Sequence, residues 1–82
     1  MSVELESQIL LYFSAKWCGP CKRLAPQVDS LMKDSKIQYT KIDIDEYPKL
    51  AKQYKIKSVP TLILKSGEKY KSIDIKQLKL LI

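Results

Sequence analysis

Ile9-Leu10-Leu11-Tyr12-Phe13-Ser14-Ala15-Lys16-Trp17-Cys18-Gly19-Pro20-Cys21-Lys22 joins an apolar run to two cysteines that stand three positions apart. The run Ile9 to Phe13 has the length of a strand covered on both faces. It is too short for a membrane span or the apolar core of a secretory signal. Beyond the cysteines, Leu24, Val28, Leu31 and Met32 recur at helical spacing, so Lys22 to Lys33 reads as an amphipathic helix. Pro26 is its one irregularity and should kink it. The cysteines therefore lie at a strand-to-helix junction, where open α/β sheets place their chemistry.

Further along the chain, Ile37 to Ile44 is a second β-rich segment that runs into Asp45. A helix follows, with Pro48 in its first turn and Tyr47, Leu50, Ala51 and Tyr54 on one face. Thr61 to Leu64 is a third strand, and Ser66-Gly67 turns it into Glu68 to Ile73, where Tyr70 and Ile73 are the apolar members of an antiparallel hairpin. Asp74 and Gln77 have the spacing of an N-cap and its partner, opening a last helix with Ile75, Leu78, Leu81 and Ile82. The order β-α-β-α-β-β-α implies an α/β fold, a four-stranded mixed sheet with helices on both faces. Its first three strands are expected to be joined by right-handed crossovers and the fourth added by the hairpin. No repeat, linker or low-complexity tract divides residues 1–82, which read as one domain.

Composition narrows the chemistry. Eighty-two residues exclude a two-domain enzyme. Cysteines this close together close too small a loop to staple a secreted scaffold. There is no histidine, hence no His general base, no Cys-His nucleophile pair and no His metal ligand. Zinc takes four ligands and two cysteines supply half of them, so no metal is expected. Fifteen basic residues against nine acidic give +6, but fourteen of them are lysines scattered from Lys16 to Lys79. Nucleic-acid surfaces cluster their basic residues and favour Arg, so a solvated lysine-rich surface is the expectation, with a bias toward acidic partners. Met1-Ser2-Val3-Glu4-Leu5-Glu6 is not a secretory signal. A cytoplasmic monomer that engages neither membrane nor nucleic acid is expected, and in that reducing setting a close cysteine pair means redox or metal chemistry.

Trp17-Cys18-Gly19-Pro20-Cys21 puts two thiols at the first turn of a helix, where unpaired N–H groups and the helix dipole favour negative charge. Cys18 gains most, so its thiolate should be present near neutral pH. Cys21 lies one turn deeper. Cys18 is thus the group to attack a substrate disulfide, and Cys21 the group to resolve the mixed disulfide. Gly19 allows close backbone approach, and Pro20 stiffens the first turn. Trp17 is either an apolar wall for a docking polypeptide or a partly buried core aromatic. Lys16 and Lys22 add modest support to a thiolate.

Trp17-Cys18-Gly19-Pro20-Cys21-Lys22 before a kinked helix, with Val59-Pro60-Thr61 before a strand, resembles the thioredoxin family. Ala25-Pro26, Lys41-Ile42-Asp43-Ile44-Asp45 and Pro48 agree in register, so the resemblance runs from about Ile9 to the C-terminus. It implies a protein-disulfide reductase fed by a thioredoxin-reductase-type donor and acting on disulfide-containing proteins, with no cofactor beyond the Cys18/Cys21 pair. It also implies a cis Val59-Pro60 bond facing the cysteines, with the Val59 N–H and C=O free to pair with an extended substrate.

Three departures stand against the family pattern. Only ~8 residues precede the first strand, too few for the additional strand and helix usual in the family, which makes this a truncated thioredoxin-like chain. The family's glycine loop beside the substrate groove is not evident. The buried aspartate six positions before the first cysteine, which assists proton transfer at the second, is here Tyr12. A phenol of ordinary pKa about 10 is no carboxylate base. Tyr12 either slows the resolving step or simply fills core volume. Lys41, which matches the lysine beside that aspartate, either turns outward or approaches the Tyr12 hydroxyl. Two other functions compete: a glutaredoxin-like, glutathione-dependent oxidoreductase, against which Ser72-Ile73-Asp74 lacks the paired glycines, and a non-catalytic thioredoxin-like binding module.

Overall fold

The computed structural model describes residues 8–82. The sequence readings of Met1 to Glu6, and of the space before the first strand, lie outside those residues. β1 (Gln8–Ser14) runs into α1 (Gly19–Met32), followed by β2 (Gln38–Asp43), α2 (Pro48–Gln53), β3 (Thr61–Ser66), β4 (Lys69–Ile73) and α3 (Ile75–Leu81). The element order is the one expected. The strands lie in the order β2-β1-β3-β4, so the strand leading to the cysteines is central. β1 alternates its side chains across the sheet. Leu10 and Tyr12 join Val28 and Met32 of α1 and Leu78 of α3 in one core. Leu11 and Phe13 join Ile42, Ile63 and Tyr54 in the other.

One expectation fails. β2 lies parallel to β1, but β3 is antiparallel to it, with Phe13 opposite Thr61 and Tyr12 opposite Leu62. Only the first connection is a parallel crossover. Helix length explains the difference. α1 has 14 residues and spans about 21 Å, enough to carry the chain back along β1. α2 has six and spans about 9 Å, so the chain starts β3 from the end at which β2 finished. The Val59-Pro60 segment is thereby delivered to the same end of the sheet as the cysteines.

Local signals set the element ends. Pro48 occupies the first turn of α2, where its missing N–H is not needed. α2 closes with Ile56 N–H donating to Ala51 C=O at 2.9 Å and Lys55 N–H to Lys52 C=O at 3.0 Å, with Lys55 at φ 56° where glycine is usual. Gly67, at φ 63°, turns β3 into β4. Asp74 and Gln77 form the expected capping box: Asp74 Oδ1 accepts from Gln77 N–H at 2.8 Å, and Gln77 Oε1 from Asp74 N–H at 2.9 Å. Asp74→Ala should cost about 1 kcal/mol, read as a lower urea midpoint at unchanged slope.

Some apolar positions are less buried than their spacing predicts. Tyr47 caps α2 and is exposed, and of α3 only Leu78 is buried, while Leu81 and Ile82 reach solvent. Tyr70 is partly exposed but packs edge-on against Tyr54 at 4.8 Å between centroids.

Candidate functional site

Chain direction puts Cys18 where β1 has ended and α1 has not begun. It is the N-cap of α1 with extended backbone, φ −90° and ψ 107°. Its Sγ accepts from Cys21 N–H at 3.1 Å, and its C=O accepts from Lys22 N–H at 3.3 Å. This N–H points at sulfur in a helix turn that carries no acidic residue, an arrangement that favours negative charge on Cys18. Cys18 and Cys21 are joined as a disulfide with their Cα atoms 5.3 Å apart. Both are buried, Cys18 at 4% exposure and Cys21 at 2%.

The disulfide is walled from both sides. Cys18 Sγ lies 3.8 Å from the carbonyl oxygen of Val59, and the Val59-Pro60 bond is cis. Trp17 is 68% exposed, which excludes the reading as a core aromatic. Its indole N–H donates to Asp45 Oδ2 at 3.0 Å and is so held in place. Gly19 and Pro20 are exposed beside it. A Cβ at Gly19 would meet only the Arg23 guanidinium, at an ordinary 3.6 Å, so the chain's own packing does not demand glycine there.

Beneath the pair, Tyr12 is buried and its hydroxyl donates to the backbone C=O of Cys21 at 2.7 Å. Burial, and then the charge of Asp29, push the Tyr12 phenol above its usual pKa. Lys41, the register partner of Tyr12 on β2, pairs through Nζ with Asp29 Oδ2 at 2.9 Å, while the Tyr39 hydroxyl donates to Asp29 Oδ1 at 2.9 Å. Lys41 first, and Tyr39 with it, hold the Asp29 carboxyl below the ordinary aspartate range. Tyr39 is pushed strongly upward by burial and by its bond to Asp29.

The thioredoxin family model matches residues 2–79. The chain belongs to the thioredoxin family. It is 43% identical over 76 residues to the chloroplastic thioredoxin M-type of Triticum aestivum, covering 89% of this chain and 43% of that one. It is 39% identical over 84 residues to a thioredoxin of Rickettsia typhi, covering 98% and 80%. Among solved structures, a mutant thioredoxin from Halobacterium salinarum superposes with a TM-score of 0.82 at 36% identity, covering 96% of this chain and 74% of that one. The X-ray structure of Fasciola hepatica thioredoxin gives 0.82 at 27%, covering 96% and 81%. The chain spans less than half the length of the plant relatives it matches.

Measured against the thioredoxin pattern, Cys18, Cys21, Trp17, Gly19, Pro20, Val59 and Pro60 share one end of the sheet, with Tyr12 directly beneath them. Lys41 lies at the edge of this group, with its ammonium paired to Asp29. Sequence reasoning missed Asp29, Tyr39 and the role of Asp45. A signal for the first two was present. Asp29 follows Cys21 and Ala25 at four-residue steps on one stripe of α1, and Tyr39 and Lys41 alternate onto one face of β2. The alkaline limb of stability tests this cluster. The folded pKa of Tyr39 is raised, so its contribution is complete below the unfolded value of about 10 and is lost as pH climbs above it. A Tyr39→Phe variant should lose stability less steeply than wild type between about pH 10 and 11, read from urea midpoints. Equal slopes would remove Tyr39 from the account.

Proposed function

We propose that the chain is a thiol-disulfide oxidoreductase that reduces protein disulfides, with Cys18 as the attacking nucleophile and Cys21 as the resolving thiol. The observation that carries this reading is the disulfide-linked pair at the start of α1, with the Cys21 N–H aimed at Cys18 Sγ and the Val59 carbonyl facing that sulfur. In the dithiol form, the Cys18 thiolate attacks one sulfur of a substrate disulfide and its partner sulfur leaves as thiolate. Cys21 then attacks Cys18 Sγ, the second substrate sulfur leaves, and the Cys18–Cys21 bond is restored. Two electrons pass from the chain to the substrate.

Trp17, Gly19 and Pro20 on one side, with Val59 and Pro60 on the other, leave room for an extended segment that pairs with the Val59 backbone as an added strand. No cofactor beyond the cysteine pair is needed. Electrons come from a thioredoxin-reductase-type donor, the substrates are disulfide-containing proteins, and the chain works as a monomer. A reducing compartment is required to regenerate the dithiol, and the cytoplasm is the one we propose.

Turnover of a protein disulfide by the chain with thioredoxin reductase, compared with glutathione alone, is the test. Wild type should turn over with the reductase and poorly with glutathione, and Cys18→Ser should fall to background. Regeneration by glutathione alone would favour the glutaredoxin-like reading. A double Cys18→Ser, Cys21→Ser variant that keeps full cellular function would instead make the chain a binding module.

A further inference from the structure

A shallow groove of about 150 Å³ opens beside Cys21, lined among others by Tyr12, Lys16, Lys22, Lys41 and Asp43. It gives a second approach to the resolving cysteine, separate from the face that presents Cys18. Every titratable group facing Cys21 can be accounted for. From β1 comes Tyr12, whose hydroxyl proton is committed to the Cys21 carbonyl. From the loop and α1 come Lys16 and Lys22, both exposed. From β2 come Lys41, tied to Asp29, and Asp43, whose Oδ1 accepts from the N–H groups of Asp45 at 2.8 Å and Glu46 at 3.4 Å. The Val59-Pro60 segment brings none. Tyr12 and Lys41 are thus committed to other partners, Asp43 spends one carboxylate oxygen on backbone N–H groups, and the groove itself opens to solvent.

The Cys21 backbone is held at both ends. Its N–H points at Cys18 Sγ at 3.1 Å, and its C=O is gripped by Tyr12 at 2.7 Å from a fully buried position on the central strand. We propose that Tyr12 is a positioning residue that clamps Cys21 with its N–H on Cys18 and its thiol toward the groove, and that the Cys21 proton leaves through this groove to a base in solution. The inference rests on the oxidoreductase reading and deepens it. In the resolving step the Cys21 S–H proton passes to water or a buffer base. As that proton leaves, in the rate-limiting step, the Cys21 sulfur attacks Cys18 Sγ, the bond between Cys18 and the substrate sulfur breaks, and that sulfur departs as thiolate.

Two measurements test it. In stopped flow, the reduced chain meets a chromogenic aromatic disulfide, whose first and second thiol releases report attack and resolution. The second phase should accelerate with imidazole concentration at fixed pH and ionic strength, whereas a step served by an internal base would not respond. Tyr12→Phe keeps the ring and removes the clamp. It should slow resolution about three- to tenfold, the worth of one hydrogen bond, and raise the pKa of Cys18 read from the pH dependence of its alkylation. A purely volume-filling ring would move neither. Buffer-independent resolution in wild type, or a Tyr12→Phe variant equal to wild type in both rate and Cys18 pKa, overturns the inference. Absence of any first release would instead overturn the oxidoreductase reading. The buffer series uses wild type alone and so stands even if the variant fails to fold.

Discussion

Cys21→Ser should attack a protein disulfide once and then stay bound to it. Cys18 keeps its place as the N-cap of α1, and the amide that serves its sulfur is backbone, so the first exchange survives. What disappears is the intramolecular second step. In the wild type the two sulfurs are close enough to bond, with Cα atoms 5.3 Å apart, and well-oriented intramolecular partners act at very high effective concentration. An external thiol at about millimolar concentration falls short of that by at least three orders of magnitude, so release should slow by ~10³-fold or more. Covalent complexes should therefore accumulate in non-reducing gels and dissolve on adding dithiothreitol. The proteins recovered on Cys18 would name the substrates. Complexes that form equally on Cys18→Ser would reverse the assigned roles.

The second large effect is on stability. Phe13 is fully buried on the central strand, and its ring meets Tyr54 at 5.8 Å between centroids, which in turn meets Tyr70. The three rings tie β1 to the end of α2 and to β4. None of the six residues of α2 is fully buried, so this helix is held mainly by what flanks it. Phe13→Ala should cost about 3–5 kcal/mol out of a total near 4–12 kcal/mol for a chain of this length. The melting temperature should drop by roughly 12–40 °C. A loss under about 1 kcal/mol would mean that the ring stack carries little of the fold. Because α2 leads into Val59-Pro60, a folded Phe13→Ala fraction should also react more slowly with protein disulfides than with small ones.

Period and punctuation made most of this legible in the sequence. The apolar run to Phe13, the four-residue stripe of α1 and the Asp74/Gln77 spacing each report a local interaction that a short window contains. The place of the cysteine pair was legible for the same reason, since the strand-to-helix junction is marked within its own short window. The direction of β3 was not, because it follows from comparing the length of α2 with that of a strand some forty positions earlier. The environment of Lys41 was hidden for a related reason. Its partner sits on α1, and only the packing of β2 against that helix brings Asp29 within reach. Trp17 was ambiguous because an indole suits a core as well as a surface. Its 68% exposure, with the indole held by Asp45 from 28 positions away, decides it.

The antiparallel return of β3 also bears on how the chain is made. Cys18 leaves the ribosome 41 positions ahead of Val59, and synthesis at ~5–20 residues per second leaves seconds between them. During that interval the nascent chain carries two thiols without the wall that limits what they meet. On the proposed reductase reading, reactivity becomes selective when β3 docks against β1, the longest-range pairing of that strand. On that reading discrimination among disulfides is acquired late in biosynthesis, and an event that detaches β3 should return the molecule to an indiscriminate dithiol.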